Sequence, residues 1–206
     1  MKISYAITVC NEFVEIQQLI NHLLTNKRHR DEIIILFDSN NGSPKVEEFL
    51  RAKSVNGEFN WFPYPFNGHF AEMKNFLTSM CKGDYVFQID ADEIPNPILI
   101  KNLPEILEGN EVDIVLTPRI NTVKGITQKH INKWGWRVNE NNWINFPDYQ
   151  WRVYKNNSKI KWINKVHEKL IGYKTISHLP QSQEWCLIHD KTIEKQEKQN
   201  NFYDTL

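Results

Sequence analysis

The sequence predicts an α/β fold in which helices cover a mainly parallel central sheet. Apolar, strand-like segments recur through the first half of the chain, at residues 3–9, 32–37, 59–64, 85–89 and 112–117. Between them lie segments whose apolar residues repeat at helical spacing, at residues 16–23, 44–52, 69–81 and 95–107. Because parallel neighbours need a crossover connection, usually a helix, this alternation indicates a parallel sheet.

Residue types at the ends of these segments predict where several elements begin and end. Asn11 follows the first strand and belongs to the residue types that cap helices. Gly83 follows the segment at residues 69–81 and is expected to stop that helix. Pro63 and Pro65 limit the strand at residues 59–64 to an edge of the sheet, because proline cannot donate to a strand ladder.

The character of the chain changes after about Pro118. Tryptophan, asparagine and lysine become frequent and the helical periodicity fades. Residues 150–154 and 161–168 are predicted as two strands joined by a turn at residues 156–158, and residues 192–203 as a polar helix. We expect one domain over residues 1–206 whose last part adds a β-hairpin and a helix to the sheet.

Composition excludes several classes of protein. The 25 Lys and Arg residues balance the 25 Asp and Glu residues, so the basic excess of a duplex-binding protein is missing and nucleic acid is not expected as a partner. Three widely spaced cysteines, Cys10, Cys81 and Cys186, favour neither a disulfide framework nor a zinc site. They are most simply explained by a reducing compartment.

No membrane segment is expected in this chain. The sequence lacks the pattern of a charged leader, an apolar run and a cleavage site. Its longest apolar run, residues 33–37, is far too short to cross a bilayer. We therefore expect a cytoplasmic protein, which can also be one part of a longer multi-domain protein.

Two carboxylates directly follow a buried strand, in the triplet Asp90, Ala91 and Asp92. Ligands of open α/β sheets collect beyond the carboxyl ends of strands, and residues two apart in an extended chain point to the same side. Two adjacent carboxylates repel unless a cation joins them, and Mg²⁺ or Mn²⁺ is a natural bridge. The triplet therefore predicts a metal site, with a solvated acidic turn that caps the next helix as the alternative.

Four segments of the first half resemble family 2 glycosyltransferases of GT-A fold in both order and spacing. They are residues 8–12 (TVCNE), 38–39 (DS), 68–76 (GHFAEMKNF) and 82–93 (KGDYVFQIDADE). Residues 150–156 (QWRVYKN) and 166–168 (VHE) resemble a subgroup that includes lipopolysaccharide-core-type transferases. The resemblance implies a Rossmann-like α/β domain that uses a nucleotide-diphospho-sugar, with residues 1–117 binding this donor and residues 118–206 binding the acceptor.

The resemblance also implies roles for individual residues. A nucleoside pocket, usually for uridine, would be lined by Thr8, Asn11, Glu12 and Asp38. Lys74 would lie near the nucleotide, Asp90 would contact ribose or metal, Ala91 would leave room beside the two carboxylates, and Asp92 would bind Mn²⁺ or Mg²⁺ directly. A plain structural role, as a helix cap for Asn11 and a turn residue for Asp38, is the alternative.

Family 2 enzymes generally invert the sugar's anomeric centre, so the resemblance also implies a general base that takes the acceptor's proton. Glu168 is the first candidate and Asp148 the second. His167 belongs to the same Val-His-Glu segment, and in a regular strand it would face away from Glu168. The sequence leaves the choice open.

Other polar and aromatic residues complete the expected site. His189 is placed where similar enzymes have a histidine on the metal or diphosphate, although a packed core histidine is equally compatible. Arg152 and Lys155 are candidates for holding the diphosphate, and a solvated strand face is the equal alternative. Tryptophans that can stack on sugar rings as an acceptor platform, or pack in the core, are Trp134, Trp136, Trp143 and Trp151.

The expected activity is transfer of a sugar from a UDP-sugar, with UDP-glucose or a UDP-rhamnose-like donor first, to a glycan or another hydroxyl acceptor. A sugar-nucleotide nucleotidyltransferase is the main alternative, but residues 8–13 lack the glycine-rich loop that cradles a triphosphate. An inert sugar-binding module is the other. The chain also resembles the first domain of a multi-domain glycosyltransferase of a large virus, which would place it in the host cytoplasm.

Overall fold

Strands and helices alternate through the first half of the chain, as the sequence predicts. The computed structural model describes residues 1–203. Its strands are β1 (Ile3–Val9), β2 (Glu32–Asp38), β3 (Asn60–Tyr64), β4 (Tyr85–Asp90), β5 (Ile94–Pro95), β6 (Ile114–Thr117), β7 (Arg119–Lys124), β8 (Gln150–Lys155), β9 (Lys161–Ile163), β10 (Lys169–Ile171), β11 (Ile176–His178) and β12 (Leu187–Thr192). Its helices are α1 (Phe13–Asn26), α2 (Pro44–Ser54), α3 (Phe70–Met80), α4 (Pro97–Asn110), α5 (Gln128–Trp134) and α6 (Ile193–Tyr203).

The central sheet has seven strands in the order β11-β6-β8-β4-β1-β2-β3. β1 pairs in parallel with β2 and β4, β2 with β3, and β6 with β11. β8 is antiparallel to both of its neighbours, β4 and β6. The sheet is therefore mostly parallel, and the prediction of an α/β fold is confirmed.

Helices cover both faces of this sheet, which explains why its inner strands are mostly apolar. On one face Tyr5 and Ile7 of β1 pack with Leu19 of α1. On the other face Ala6 packs with Leu77 of α3. β3 lies at the edge of the sheet, as its prolines predict.

Two of the predicted helix signals have other roles. Helix α1 begins one residue later than an Asn11 cap requires, with Glu12 at the N-cap position. Helix α3 ends at Met80, and Gly83 is needed for close packing instead. A Cβ atom at Gly83 would lie 2.6 Å from the backbone nitrogen of Ser4, so the loop before β4 approaches β1 through a position that only glycine fits.

The second half differs most from the sequence prediction. Residues 161–168 do not form one strand: β9 ends at Ile163, and both Asn164 and His167 have positive φ angles. The hairpin partner of β9 is β10, whereas β8 joins the central sheet. A smaller sheet, β5-β12-β7, carries the end of the chain toward the predicted terminal helix, which is present as α6.

The three cysteines are free thiols, as their spacing indicates. None of the helices within residues 1–203 is both long and apolar enough to cross a membrane.

Candidate functional site

The carboxyl ends of β1, β2 and β4 open into a cleft of about 890 Å³. This is the edge at which parallel α/β sheets bind their ligands, because the loops that follow neighbouring strands converge there. The fold brings most of the candidate residues named from the sequence to the walls of this one cleft. They are Thr8, Asn11, Glu12, Asp38, Lys74, Asp90, Ala91, Asp92, Asp148, Arg152, His167, Glu168 and His189.

The two carboxylates of the triplet reach the cleft in different directions. β4 ends at Asp90 and the chain turns at Ala91 and Asp92, so the side-by-side arrangement expected of an extended strand is not formed. Asp90 Oδ2 lies 2.5 Å from the guanidinium of Arg152. Asp92 Oδ2 instead lies 3.3 Å from Nε2 of His189.

Both carboxylates are held in the charged form by nearby cations. Burial would raise the pKa of Asp90, but the positive charges of Arg152 and Lys74 hold it well below its usual range. Burial would also raise the pKa of Asp92, but His189, Lys191 and Lys195 lower it. Lys195 Nζ lies 3.2 Å from Asp92 Oδ2. The cleft therefore carries ionised carboxylates whose partner cations also line it.

The buried side chain of Glu93 supports the turn that follows β4. The Glu93 side chain is fully buried and accepts hydrogen bonds from Arg152 at 2.5 Å and Arg119 at 2.8 Å. Its other oxygen accepts from the backbone nitrogen of Asp90 at 3.2 Å. No local sequence pattern marks Arg119 or Glu93 as site residues, because they meet across 26 positions of the chain.

The loops after β1 and β2 are held by their own polar side chains. Glu12 accepts hydrogen bonds from the backbone nitrogens of Cys10 and Asn11 at 2.9 and 3.0 Å. Asp38 Oδ1 accepts from the backbone nitrogens of Asn40 and Asn41 at 2.9 and 3.1 Å. Asp38 thus has the turn role named as its alternative, at a position that also faces the cleft.

The two candidate bases have different surroundings. Glu168 Oε1 forms an ion pair with Lys74 Nζ at 2.9 Å, and this ammonium lies 4.8 Å from the ring centre of Trp162. Because the strand ends before Val166, His167 and Glu168 are not forced to opposite sides, and both line the cleft.

Asp148 is surrounded by hydrogen-bond donors. Its Oδ2 accepts from Arg119 Nε at 2.9 Å and Asn121 Nδ2 at 2.7 Å, and its Oδ1 accepts from Gln150 Nε2 at 2.8 Å. A carboxylate in these contacts is poorly placed to accept a further proton, since protonation would cost it charge-assisted hydrogen bonds. Asp148 is therefore the weaker of the two candidates on geometry.

His189 is the sequence-named residue best placed to bind a cation with Asp92. Its Nδ1 contacts Asn121 Oδ1 at 2.7 Å, while its Nε2 faces Asp92. Within residues 1–203, no group of three or more His, Cys, Asp or Glu side chains is arranged to hold a metal ion. Asp90 faces Arg152 rather than this pair, so a cation at this point of the cleft could contact Asp92 and His189 but not Asp90.

Lys155 and the four candidate tryptophans differ in whether they reach the cleft. Lys155 lies at the far end of β8, where it pairs with Asp113 at 3.5 Å, so the prediction that it helps to hold a diphosphate is wrong. Trp136 and Trp151 line the cleft, whereas Trp134 stacks between Trp136 and a histidine of α5. The four candidate tryptophans are half-buried, and Trp151 also packs against the core on the face of the sheet that α3 covers.

Comparisons with known proteins agree with this architecture. The fold is similar to that of the crystal structure of S. aureus TarS 1–349, with a TM-score of 0.65, 15% identity, and 92% of this chain and 60% of that chain covered. The crystal structure of S. aureus TarS 1–349 in complex with UDP-GlcNAc is similar with a TM-score of 0.66 and 16% identity. That match covers 93% of this chain and 59% of that chain. The chain spans about 60% of the length of these fragments and 37% of the longer TarS structure.

No curated protein sequence matches the chain significantly. The sequence profile described as glycosyl transferase family 2 matches residues 4–176, which is most of the chain. The matched residues extend from β1 to the first residue of β11, and they include the triplet of Asp90, Ala91 and Asp92. The chain therefore belongs to glycosyl transferase family 2.

Proposed function

We propose that this chain transfers a sugar from a UDP-sugar to a hydroxyl group of a glycan, with a divalent cation and with inversion at the anomeric carbon. The observation that carries the proposal is the pairing of Asp92 with His189, 3.3 Å apart, at the carboxyl end of β4 in the main cleft. Membership of family 2 supplies the reaction class, and the cleft supplies the site.

The residues present fit a cation such as Mn²⁺ or Mg²⁺. Two neighbouring ligands on an octahedral cation, with bonds of about 2.1 Å, lie about 3 Å apart. The separation of Asp92 Oδ2 and His189 Nε2 is close to this value. Such cations keep only one or two protein carboxylates and take further oxygens from substrate phosphates, so two protein ligands are sufficient. When bound, the cation would neutralise the departing diphosphate.

Lys195 Nζ contacts Asp92 Oδ2, the oxygen that also faces His189, and it pairs with Glu15 at 3.1 Å. This ammonium can turn to Glu15 or to a phosphate when a cation takes its place at Asp92. Lys195 belongs to α6, whose residues also line the cleft.

The donor is proposed to place its nucleoside between the loops that follow β1 and β2. TarS holds UDP and UDP-GlcNAc in crystal structures of similar fold, which supports a uridine nucleotide. The residues that face the cleft from these loops are Thr8, Asn11, Glu12 and Asp38. UDP-glucose and UDP-rhamnose remain the first donors to test, with UDP-GlcNAc beside them.

Glu168 is proposed as the general base. The acceptor hydroxyl attacks the anomeric carbon, its proton passes to the Glu168 carboxylate, and the bond between sugar and diphosphate breaks. Glu168 pairs with Lys74, whereas Asp148 accepts hydrogen bonds from Arg119, Asn121 and Gln150, which leaves Glu168 the less enclosed of the two carboxylates. Trp136 and Trp151, which line the cleft and belong to the half of the chain after residue 118, are proposed to stack on the acceptor sugar.

Of the alternatives, the nucleotidyltransferase is set aside by the family match. An inert sugar-binding module would share the fold and the carboxylates, so only turnover separates it from the proposed enzyme.

A screen of nucleotide-sugars by thermal unfolding, with and without Mn²⁺, tests the proposal. A ligand at 100 times its Kd stabilises the folded state by about 2.7 kcal/mol, so the unfolding temperature should rise with UDP-sugars when Mn²⁺ is present. The donor that stabilises most is then assayed for release of UDP with glycan acceptors. Equal UDP affinity with and without Mn²⁺ would contradict the metal dependence, and binding without any UDP release would favour the inert module.

A further inference from the structure

Lys74 is a buried lysine, with 7% of its surface exposed, on the inner face of helix α3 beside Met73 and Leu77. An ammonium that leaves water needs partners that compensate the loss of its hydration. Two partners are present, Glu168 Oε1 at 2.9 Å and the ring of Trp162, whose centre lies 4.8 Å from Nζ. Both belong to β9 and the turn that joins it to β10, so this lysine of the first half of the chain serves the second half.

The backbone of the same hairpin is fastened to α3 by contacts that do not involve the ammonium. Asn75 holds Trp162 twice: its Nδ2 donates to the Trp162 carbonyl oxygen and its Oδ1 accepts from the Trp162 backbone nitrogen, each at 2.9 Å. The backbone nitrogen of Phe70 donates to the carbonyl oxygen of Lys165 at 3.0 Å. Loss of the Lys74 ammonium should therefore leave β9 and the start of the turn in place.

These backbone contacts do not fix the side chain of Glu168. It follows a turn with positive φ angles at Asn164 and His167, and its carboxylate is paired with Lys74. A glutamate without a partner populates several rotamers about its side-chain bonds. The ion pair restricts that choice, because the ammonium is itself held between the carboxylate and the face of an aromatic ring.

The phosphates of a donor have other cations in the same cleft. Arg152 contacts Asp90 at 2.5 Å and Lys195 contacts Asp92 at 3.2 Å, where β4 ends and the donor is proposed to bind. Lys74 is instead paired with the hairpin, and a phosphate would have to separate it from Glu168 to bind it.

We propose that Lys74 is a positioning residue for Glu168, and that its ammonium holds this carboxylate toward the acceptor hydroxyl rather than binding the donor's phosphates. The inference rests on the proposed function, in which Glu168 is the general base. It departs from the place near the nucleotide that family resemblance implies for Lys74. A general base acts only within hydrogen-bond reach of the proton that it takes, and a misplacement of about 1 Å can cost about 10²-fold in rate.

Lys74→Met removes the ammonium and keeps a flexible stem. By calorimetric titration in the presence of Mn²⁺, its affinity for UDP should stay close to that of the unaltered protein. With the donor that the thermal screen selects, kcat should fall by about 10²-fold at an unchanged donor KM. Lys74→Arg keeps a cation for Glu168 and should recover most of kcat. Lys155→Met is the matched control, because it breaks an ion pair with Asp113 at the far end of β8 and should change neither quantity.

A double-mutant cycle locates the effect. Glu168→Gln already removes the carboxylate that Lys74 holds, so adding Lys74→Met to it should lower the remaining transfer by no more than about twofold. A merely structural role for Lys74 would lower the unfolding temperature of Lys74→Met and would reduce transfer equally in both backgrounds.

A crystal structure of Lys74→Met tests the same inference without turnover. The Glu168 carboxylate should leave its position while the hydrogen bonds between Asn75 and Trp162 remain. An unmoved Glu168 side chain, a loss of UDP affinity, an unchanged kcat or equal effects in both backgrounds would each overturn the inference. Full activity of Glu168→Gln would contradict the proposed base, which the displacement seen without substrate does not test. If Lys74→Met fails to fold, Lys74→Gln replaces it in every comparison.

Discussion

The two ends of the central sheet both hold buried or half-buried carboxylates, but they use them differently. At the amino end of β2, Glu32 accepts hydrogen bonds from Lys2 Nζ at 2.5 Å, Ser4 Oγ at 2.5 Å and the backbone nitrogen of Lys82 at 2.6 Å. Asp31 beside it accepts from the backbone nitrogen of Ile3 at 2.9 Å. These carboxylates bind neighbouring loops and strands to each other.

At the carboxyl end, Asp90 and Asp92 are paired with side chains that themselves line a cleft. A partner such as Lys195 can be exchanged for a ligand there, whereas backbone nitrogens at the other end cannot. The difference teaches that charge and burial alone do not distinguish a binding carboxylate from a structural one. Strand direction does, because loops converge on a cleft only at the carboxyl ends of parallel strands.

The sharpest test of this contrast is Asp92→Ala, for which we expect transfer to be abolished without unfolding. His189 keeps its contact with Asn121, and Lys195 keeps Glu15, so the fold does not depend on Asp92. UDP release and the thermal unfolding of the variant measure the two effects. Asp190→Ala, an exposed change on the same strand as His189, is the control, and full activity in folded Asp92→Ala would refute the cation site.

A smaller but still large effect is expected of Glu168→Gln. Glutamine keeps the size of the side chain but cannot take the acceptor's proton, so transfer should fall by about 10²–10⁴-fold while donor binding stays nearly intact. Both are measured under saturating donor, beside Asp148→Asn. Loss of transfer in Asp148→Asn with an active Glu168→Gln would move the base to Asp148, and activity in both would show that neither residue is the base.

The smallest effect is expected at the other end of the sheet, in Glu32→Gln. Burial raises the pKa of Glu32, but hydrogen bonds from Lys2 and Ser4 bring it below its usual value. Its contribution to stability is therefore present above the unfolded-state pKa of about 4.3 and is lost as the pH falls through the lower folded value.

We expect Glu32→Gln to cost about 1 kcal/mol at neutral pH, since one set of charge-assisted hydrogen bonds is weakened. Its stability should also decline less steeply in acid, as urea unfolding at several pH values would show. Transfer per folded molecule should not change. A loss of activity at constant stability would contradict the distinction between the two ends.

The first half of the fold was predictable because each of its inner strands is buried on both faces and each helix presents one apolar face. The second half was not, because β9, β10 and β11 have three residues each and carry no periodicity to recognise. The positive φ of His167 has no sequence signal either, and it is this turn that lets His167 and Glu168 face the same cleft.

The site was predictable as a set of residues but not as a set of contacts. The sequence placed Asp90, Asp92 and His189 in one region through strand ends and family resemblance. It could not show that Arg152 faces Asp90, or that Arg119 holds Asp148, since these pairs join residues 62 and 29 positions apart. Such pairs are created by the packing of β7 and β8 and have no local signal.

The antiparallel placement of β8 between β4 and β6 has a consequence for synthesis on the ribosome. While residues 1–117 emerge, the facing edges of β4 and β6 lack the strand that separates them. Unpaired strand edges are templates for aggregation, and Asp90 and Glu93 would meanwhile lack the guanidinium of Arg152. The nascent sheet can close only after residue 155 has left the exit tunnel, so the part of the chain that carries the carboxylates depends for its folding on the part translated after it.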